Sequence, residues 1–253
     1  MINVIIHGIS GKMGRALDKA ISETEGICIS AGIDKVPVDA PYPVFTDISD
    51  CNAKADVIID FSVAAAVPAI VKYAEERKLP LVLCTTGLSD DTLKMVEDAS
   101  KKIPLLRSAN MSLGVNLLMD LVKQAAEVLF YSDFDIEIVE KHHNQKADAP
   151  SGTALAIADG INETLGNKLE YVFDRSAVRK ARDKKELGIH AVRGGTIPGD
   201  HDVIFAGKNE ILEINHKALS RDIFAVGAVK AALFLAGKSA GMYSMKDVIK
   251  DSK

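Results

Sequence analysis

The chain has 253 residues, 47% of them hydrophobic, and a formal net charge of −4 with both signs spread along its length. That length supports one large α/β domain or two smaller ones, and the slightly acidic balance excludes the basic excess of a general nucleic-acid surface, which leaves a small molecule as the expected partner. Cys28, Cys51 and Cys84 form no CxxC or metal-ligand spacing, the opening "MINVIIHGIS" carries no basic leader, and no stretch approaches the ~20 apolar residues of a bilayer span, so a cytoplasmic location without membrane or metal is expected.

"INVIIHG" (Ile2 to Gly8) predicts a strand and "KMGRALDKAISE" an amphipathic helix. Between them "HGISGKMG" sets Gly8, Gly11 and Gly14 as G-x-x-G-x-x-G, a turn whose backbone N–H groups can approach a pyrophosphate at a helix N-terminus. This spacing departs from G-x-G-x-x-G, and alone it serves strand–helix packing equally well. The next strand, "ICISAGID", ends on Asp34, where a carboxylate can take a ribose hydroxyl; turn and acid together predict a dinucleotide site. Lys35 can meet a 2′-phosphate that Asp34 would repel, so NADH and NADPH both stay open.

Strand "DVIIDF", helix "AAAVPAIVKYAEER", strand "LPLVLC", helix "SDDTLKMVEDASKK" with Ser89 as N-cap, and strand "PLLRSA" follow. Continuous apolar strands separated by helices predict a Rossmann-like, doubly wound parallel sheet. Ligands of such sheets lie beyond the carboxyl ends of the strands, which here carry "CTTG" and "SANM". Thr85, Thr86 and Asn110 can hydrogen-bond a carboxamide-bearing ring, with turn formation and capping as their competing uses.

After Asn110 the pattern changes to a long helix, "SLGVNLLMDLVKQAAEVLF", and then to the alternating strand "DFDIEIVEKHH". "GIHAVRGG", "HDVIFAG" and "EILEINHKA" add strands, predicting a second α+β domain with an open mixed sheet. Its uncovered face is expected to be apolar and buried against copies of the chain, making a homo-oligomer. Helices near 220–237 and 244–249 close the chain. The expected domains are 1–110, with 221–253 packing back on it, and 111–220. The basic tract from Arg175 to Glu186 reads as a solvated loop.

Residues 140–154, "EKHHNQKADAPSGTA", concentrate the protonatable chemistry. Ser151, Gly152 and Thr153 open a helix whose N–H groups and dipole favour a carboxylate. Lys141, His143 and Lys146 can supply positive charge, and a histidine can exchange a proton near neutral pH. Asp148, before Pro150, shapes the turn. His190, His201 and His216 read as sheet or interface residues, while Arg193 and the loop 194–201 either clamp a second carboxylate or make a hairpin.

Taken with the glycine turn, "TTG", "AN" and "HKALSRDIFAVGAVKAALFL" in this order, residues 140–154 make the whole chain resemble the 4-hydroxy-tetrahydrodipicolinate reductase (dihydrodipicolinate reductase) family of diaminopimelate and lysine biosynthesis. The resemblance implies His142 as proton donor or acceptor, Lys146 as a second proton donor, His143 as a substrate contact, and Gly152 and Thr153, beside Ser151, as the seat of a substrate carboxylate. It assigns the dinucleotide to Gly8, Ile9, Ser10, Gly11, Lys12, Met13, Asp34, Cys84, Thr85, Thr86, Ser108, Ala109, Asn110 and Met111. Cys84 stands where the family usually has glycine, and Met111 where phenylalanine is frequent. The implied reaction reduces a cyclic imine dicarboxylate at ring C4 with NADH or NADPH after loss of water, in a tetramer. An amino-acid dehydrogenase such as an aspartate dehydrogenase, and a dinucleotide-sensing regulator, are the competing readings.

Overall fold

The computed structural model describes residues 1–176 and 178–251. Ala177, inside the basic tract, and Ser252 and Lys253, at the end of the 221–253 segment, lie outside the described residues. In chain order the elements are β1 (Ile2–His7), α1 (Lys12–Ser22), β2 (Ile27–Ile33), β3 (Val44–Phe45), β4 (Val57–Asp60), α2 (Val67–Arg77), β5 (Leu81–Leu83), α3 (Asp90–Ser100), β6 (Pro104–Arg107), α4 (Leu113–Leu129), β7 (Asp135–His142), α5 (Gly152–Thr164), β8 (Glu170–Val172), β9 (Glu186–Arg193), β10 (Gly199–Ala206), β11 (Ile211–Ala218), α6 (Asp222–Leu235), β12 (Gly241–Tyr243) and α7 (Met245–Asp251). They form two compact units, Met1–Leu113 with the segment from Asp222 onward, and Gly114–Arg221.

The first unit is a Rossmann-like sheet of seven parallel strands, ordered β12-β6-β5-β4-β1-β2-β3. Its central strands lack polar alternation because helices cover both faces: Val4, Ile5, Ile6, Val57, Ile58, Ile59, Leu81, Val82 and Leu83 are all fully buried. Val4, Ile6 and Ile59 pack with Leu17, Ile21, Ala228, Leu235, Met245 and Val248 on the side of α1, α6 and α7. Ile5, Ile58 and Leu81 pack with Ile70, Ala74, Val96 and Ala99 on the side of α2 and α3. The late helix α6 is therefore part of this unit's core, as its almost continuously apolar "IFAVGAVKAALFL" requires. Ser89 caps α3, its hydroxyl accepting from the Thr92 N–H at 3.3 Å. The two- and three-residue strands β3, β8 and β12 escape a period-based reading because they are shorter than one repeat of the pattern.

The second unit holds a mixed sheet ordered β11-β10-β7-β9-β8. β7, β9 and β8 run parallel, while β10 is antiparallel to β7 and to β11. Alternation along β7 and β10 directs Ile136, Ile138, Val203 and Phe205 to one face, where they pack with Leu118 and Val122 of α4 and Ile157 and Ile161 of α5. The opposite face is not the apolar one expected. Lys141 pairs with Asp202 at 2.5 Å and His190 Nε2 lies 2.8 Å from the Glu137 carboxylate, so Val139, Val192, Ile204 and Ile211 are set among cross-strand polar contacts. The basic tract also departs from a solvated loop. Arg182 reaches Asp135 at 2.9 Å and Glu137 at 2.7 Å, and Lys184 reaches Asp133 at 3.0 Å, so these cations neutralise the acidic start of β7. Among the described residues no helix is long and apolar enough to cross a membrane.

Candidate active site

In the second unit the site grows out of sheet register. Glu140 and His142 continue the inward face that Ile136 and Ile138 begin on β7. Register places His201 of β10 opposite Glu140, and Arg193 of β9 opposite His142. The apolar row thus turns polar where it leaves the core. Glu140, fully buried, accepts hydrogen bonds on all sides: Arg193 Nη2 at 2.7 Å and the Ser151 N–H at 3.0 Å on Oε1, Arg193 Nη1 at 2.8 Å and His142 Nδ1 at 2.5 Å on Oε2. Burial pushes the Glu140 carboxyl up, but the bonds from Arg193, His142 and Ser151 outweigh it and hold the pKa below the ordinary carboxylate value.

Ser151 caps α5, its hydroxyl accepting from the Ala154 N–H at 3.1 Å and lying 3.2 Å from His201 Nε2. The first helical turn then presents exposed Gly152 and half-buried Thr153, an arrangement that favours a carboxylate through outward N–H groups and the helix dipole. Burial, reinforced by the charge of His142, pushes the His201 pKa down to about 4, so this ring stays neutral at physiological pH. Its ring packs edge-on against His142 at 5.3 Å between centroids.

His143, Asn144, Gln145, Gly195, Thr196, Pro198 and Arg221 line a cleft of about 360 Å³ in the same unit. Arg221 lies 2.9 Å from His143 Nε2; a guanidinium only donates, so that nitrogen accepts and His143 is neutral. Desolvation first, then the charges of Arg221, His142, Lys146 and Arg193, lowers the His143 pKa, which marks a field that seeks an anion. Lys146 is paired with half-exposed Asp148 at 2.8 Å, a contact that an incoming carboxylate can replace.

Two expected sources of charge are used elsewhere. Lys141 is held by Asp202, and Arg193 clamps Glu140 and the Asp148 carbonyl, so it does not grip a second substrate carboxylate. Sequence reasoning did not single out Glu140 or Arg221. Period-two spacing to His142 carried the signal for Glu140, whereas Arg221 lay within the stretch "HKALSRDIFAVGAVKAALFL" with no role assigned to it.

In the first unit every residue expected to contact a dinucleotide follows the carboxyl end of β1, β2, β5 or β6, the edge at which parallel sheets bind ligands. At two of its three glycines, Gly8 and Gly14, the turn cannot hold a larger residue. A Cβ on Gly14 would lie 2.3 Å from the Gly8 carbonyl oxygen, and one on Gly8, at φ +90°, would lie 2.6 Å from the Phe61 oxygen. Asp34 supports the turn, its Oδ2 accepting from the Ser10 N–H at 2.8 Å and hydroxyl at 2.7 Å. Burial opposes the charge on Asp34, and the bonds from Ser10 and Val36 overcome it, so the pKa is lowered and an anion faces the site at neutral pH.

The residues fit a dinucleotide in a further respect: Thr85 Oγ1 and Asp60 Oδ2, buried at the ends of β5 and β4, have no hydrogen-bond partner among the described residues. The side chains of Ile9, Cys84 and Met111 are buried in the core, which leaves only their main chain for a ligand. Burial, then the nearby Asp60, pushes the Cys84 thiol well up, so it remains protonated. Asn110 serves its turn, Oδ1 accepting from the Ser112 N–H at 2.9 Å. Gly11, Lys12, Thr86 and Ala109 are exposed, as is Lys35. A larger cleft of about 650 Å³, lined by Asp90, Glu97, Arg107 and Tyr243 among others, touches none of the expected contact residues.

Comparison with known proteins agrees across the whole chain. Residues 2–111 match the family model "Dihydrodipicolinate reductase, N-terminus" and residues 114–249 the model "Dihydrodipicolinate reductase, C-terminus". The 4-hydroxy-tetrahydrodipicolinate reductase of Caldanaerobacter subterraneus subsp. tengcongensis is 55% identical over 250 residues, covering 99% of both chains, and that of Clostridium botulinum is 48% identical, covering 98% of both. The fold is shared with the dipicolinate-bound dihydrodipicolinate reductase of Paenisporosarcina sp. TG-14, with a TM-score of 0.81, 24% identity and coverage of 98% of this chain and 99% of that one. The chain therefore belongs to the dihydrodipicolinate reductase family.

Proposed function

We propose that this chain reduces 4-hydroxy-tetrahydrodipicolinate to tetrahydrodipicolinate, with loss of water, at the expense of NADH or NADPH. It is an oxidoreductase of diaminopimelate and lysine biosynthesis, and its reductant is a pyridine nucleotide. The observation that carries the reading is the single carboxylate of Glu140, which joins the N-terminus of α5 to His142. One end of that arrangement suits a carboxylate and the other exchanges a proton, the two needs of a doubly acidic ring that is reduced and then protonated.

The first unit is the dinucleotide-binding part, with Gly8 to Met13 at the pyrophosphate, Asp34 at the ribose, and the segments from Cys84 to Thr86 and Ser108 to Met111 toward the carboxamide. Bound nicotinamide supplies a hydride to ring C4 of the substrate. The second unit binds the substrate: Gly152 and Thr153 seat one carboxylate, Lys146 and Arg221 supply positive charge, and the neutral His143 contacts the substrate through its Nδ1–H. His142 protonates the reduced ring, and Lys146 stands as the second donor. Burial among Glu140, His201 and Arg193 limits the water around His142 and holds its ring in one orientation.

Coenzyme choice rests on Asp34 and Lys35. An ionised Asp34 favours an unphosphorylated ribose and Lys35 a 2′-phosphate, so the enzyme accepts both coenzymes. The open sheet face bearing Val139, Val192, Ile204 and Ile211 is where copies meet, giving a tetramer of 27.1 kDa chains in the cytoplasm. Light scattering reads its mass; a monomer at assay concentration would overturn that part.

Freshly generated 4-hydroxy-tetrahydrodipicolinate should consume NADH or NADPH, followed as loss of absorbance, and yield tetrahydrodipicolinate. No consumption by folded protein overturns the reading. Turnover of oxaloacetate with ammonia in its place would favour the aspartate dehydrogenase alternative.

A further inference from the structure

We propose that Glu140 is a positioning residue that fixes the tautomer of His142, holding the proton on Nδ1 so that Nε2 is the nitrogen that passes a proton to the reduced ring. An ionised carboxylate is acceptor-only, with about four lone-pair directions, and here all four are taken: two by Arg193, one by the Ser151 N–H, one by His142 Nδ1. Arg193 and the Ser151 N–H can only donate. Glu140 can offer nothing to His142 but an acceptor, so Nδ1 must carry a proton in both the charged and the neutral ring.

The remaining neighbours do not compete for that nitrogen. His201, on β10, packs edge-on against the ring and engages Ser151, and Gly199 lies on the Nε2 side, where a Cβ would come within 2.9 Å. In the transfer the Nε2–H bond of the imidazolium breaks and a C–H bond forms on the ring carbon, using the enamine electron pair. His142 is left neutral with Nδ1–H still on Glu140, and solvent returns the proton to Nε2.

The arrangement makes Glu140→Gln a selective probe. With its NH₂ on the Oε1 side, the amide would face two groups that cannot accept. With its NH₂ on the Oε2 side, it faces Arg193 and His142, and His142 alone can respond, by moving its proton to Nε2. The substitution is nearly isosteric, yet it should convert the tautomer.

The test reads the imidazole nitrogens of His142 by long-range ¹H–¹⁵N correlation, assigned by difference from His142→Gln, beside steady-state kinetics. Neutral His142 in the wild type should be the Nδ1–H tautomer, and in Glu140→Gln the Nε2–H tautomer. The variant's kcat should fall roughly 10²–10⁴-fold, the span of general acid–base assistance, with KM for the dicarboxylate unchanged. A purely structural role in holding α5 would instead raise KM and leave the tautomer alone, and that result overturns the proposal. So does an Nε2–H tautomer in the wild type, a measurement that stands even if the variant fails to fold. The kinetic arm rests on the reductase reading; the tautomer arm needs no substrate, so an inactive wild type with Nδ1–H would sink the activity and leave the positioning role.

Discussion

Replacing Arg193 with Met tests the electrostatics of the site by leaving Glu140 buried without its guanidinium. Glu140 is fully buried and the Arg193 side chain only 19% exposed, so the pair belongs to the buried class, in which removing one partner costs about 3–5 kcal/mol. At roughly 2–4 °C per kcal/mol for a chain of this size, the melting temperature should fall by about 6–20 °C near neutral pH. The dependence on pH has a definite sign. In the wild type the Glu140 pKa lies below 4.5, so its contribution to stability is present above that ordinary value and is lost as pH falls through the lower, folded one. Without Arg193 the largest of the bonds that lower the Glu140 pKa is gone while burial, the largest influence, stays, so the carboxyl moves upward from its wild-type value. The variant then sheds its uncompensated charge by protonation as the medium is acidified. Scanning calorimetry should show the gap between the two proteins widest at about pH 7.5 and narrower at about pH 5. A gap equal at both pH values, or below about 1 kcal/mol, would refute the reasoning.

Ser151→Ala removes the α5 cap and should cost about 1 kcal/mol in denaturant unfolding, with weaker binding of dicarboxylate in calorimetric titration; undiminished binding would separate the cap from the anion site. In Gly14→Ala the new Cβ meets main-chain atoms of Gly8 and Ile9, which cannot rotate aside. Fluorescence titration should show NADH affinity down about tenfold or more, a loss of at least 1.4 kcal/mol, with dicarboxylate binding intact. Asp34→Asn removes the charge proposed to meet the ribose and should weaken NADH more than NADPH; equal losses would assign Asp34 to the turn alone.

The parts of this protein that could be read from the sequence are those in which one physical rule dominates. β1, β4 and β5 are apolar throughout because both faces are covered, and β7 alternates because one face is not. Ser89 and Ser151 announce their helices because a hydroxyl one residue before the first turn has a specific N–H to meet. What stayed hidden depends on which strands are neighbours. Arg193 is 53 positions from Glu140, and only the parallel pairing of β7 with β9 brings it onto the carboxylate. The same holds for His201, and for Lys141, whose alternation sends it to the far face and Asp202. Arg182 read as a solvated charge because the acids it neutralises lie more than forty residues earlier. The histidine and serine–glycine–threonine stretch was legible because it is local; the organising role of Glu140 within it was not, because the guanidinium that keeps its buried carboxylate charged comes from β9.

The central claim is that His142, held beside the N-terminus of α5, protonates a reduced dicarboxylate ring. The direct measurement is kcat for coenzyme oxidation by freshly generated 4-hydroxy-tetrahydrodipicolinate in wild type, His142→Ala and Lys146→Ala. His142→Ala should lose roughly 10²–10⁴-fold in kcat, and Lys146→Ala should show a rise in KM at least as marked as its loss in kcat. Full activity in His142→Ala, with the fold intact, would contradict that claim.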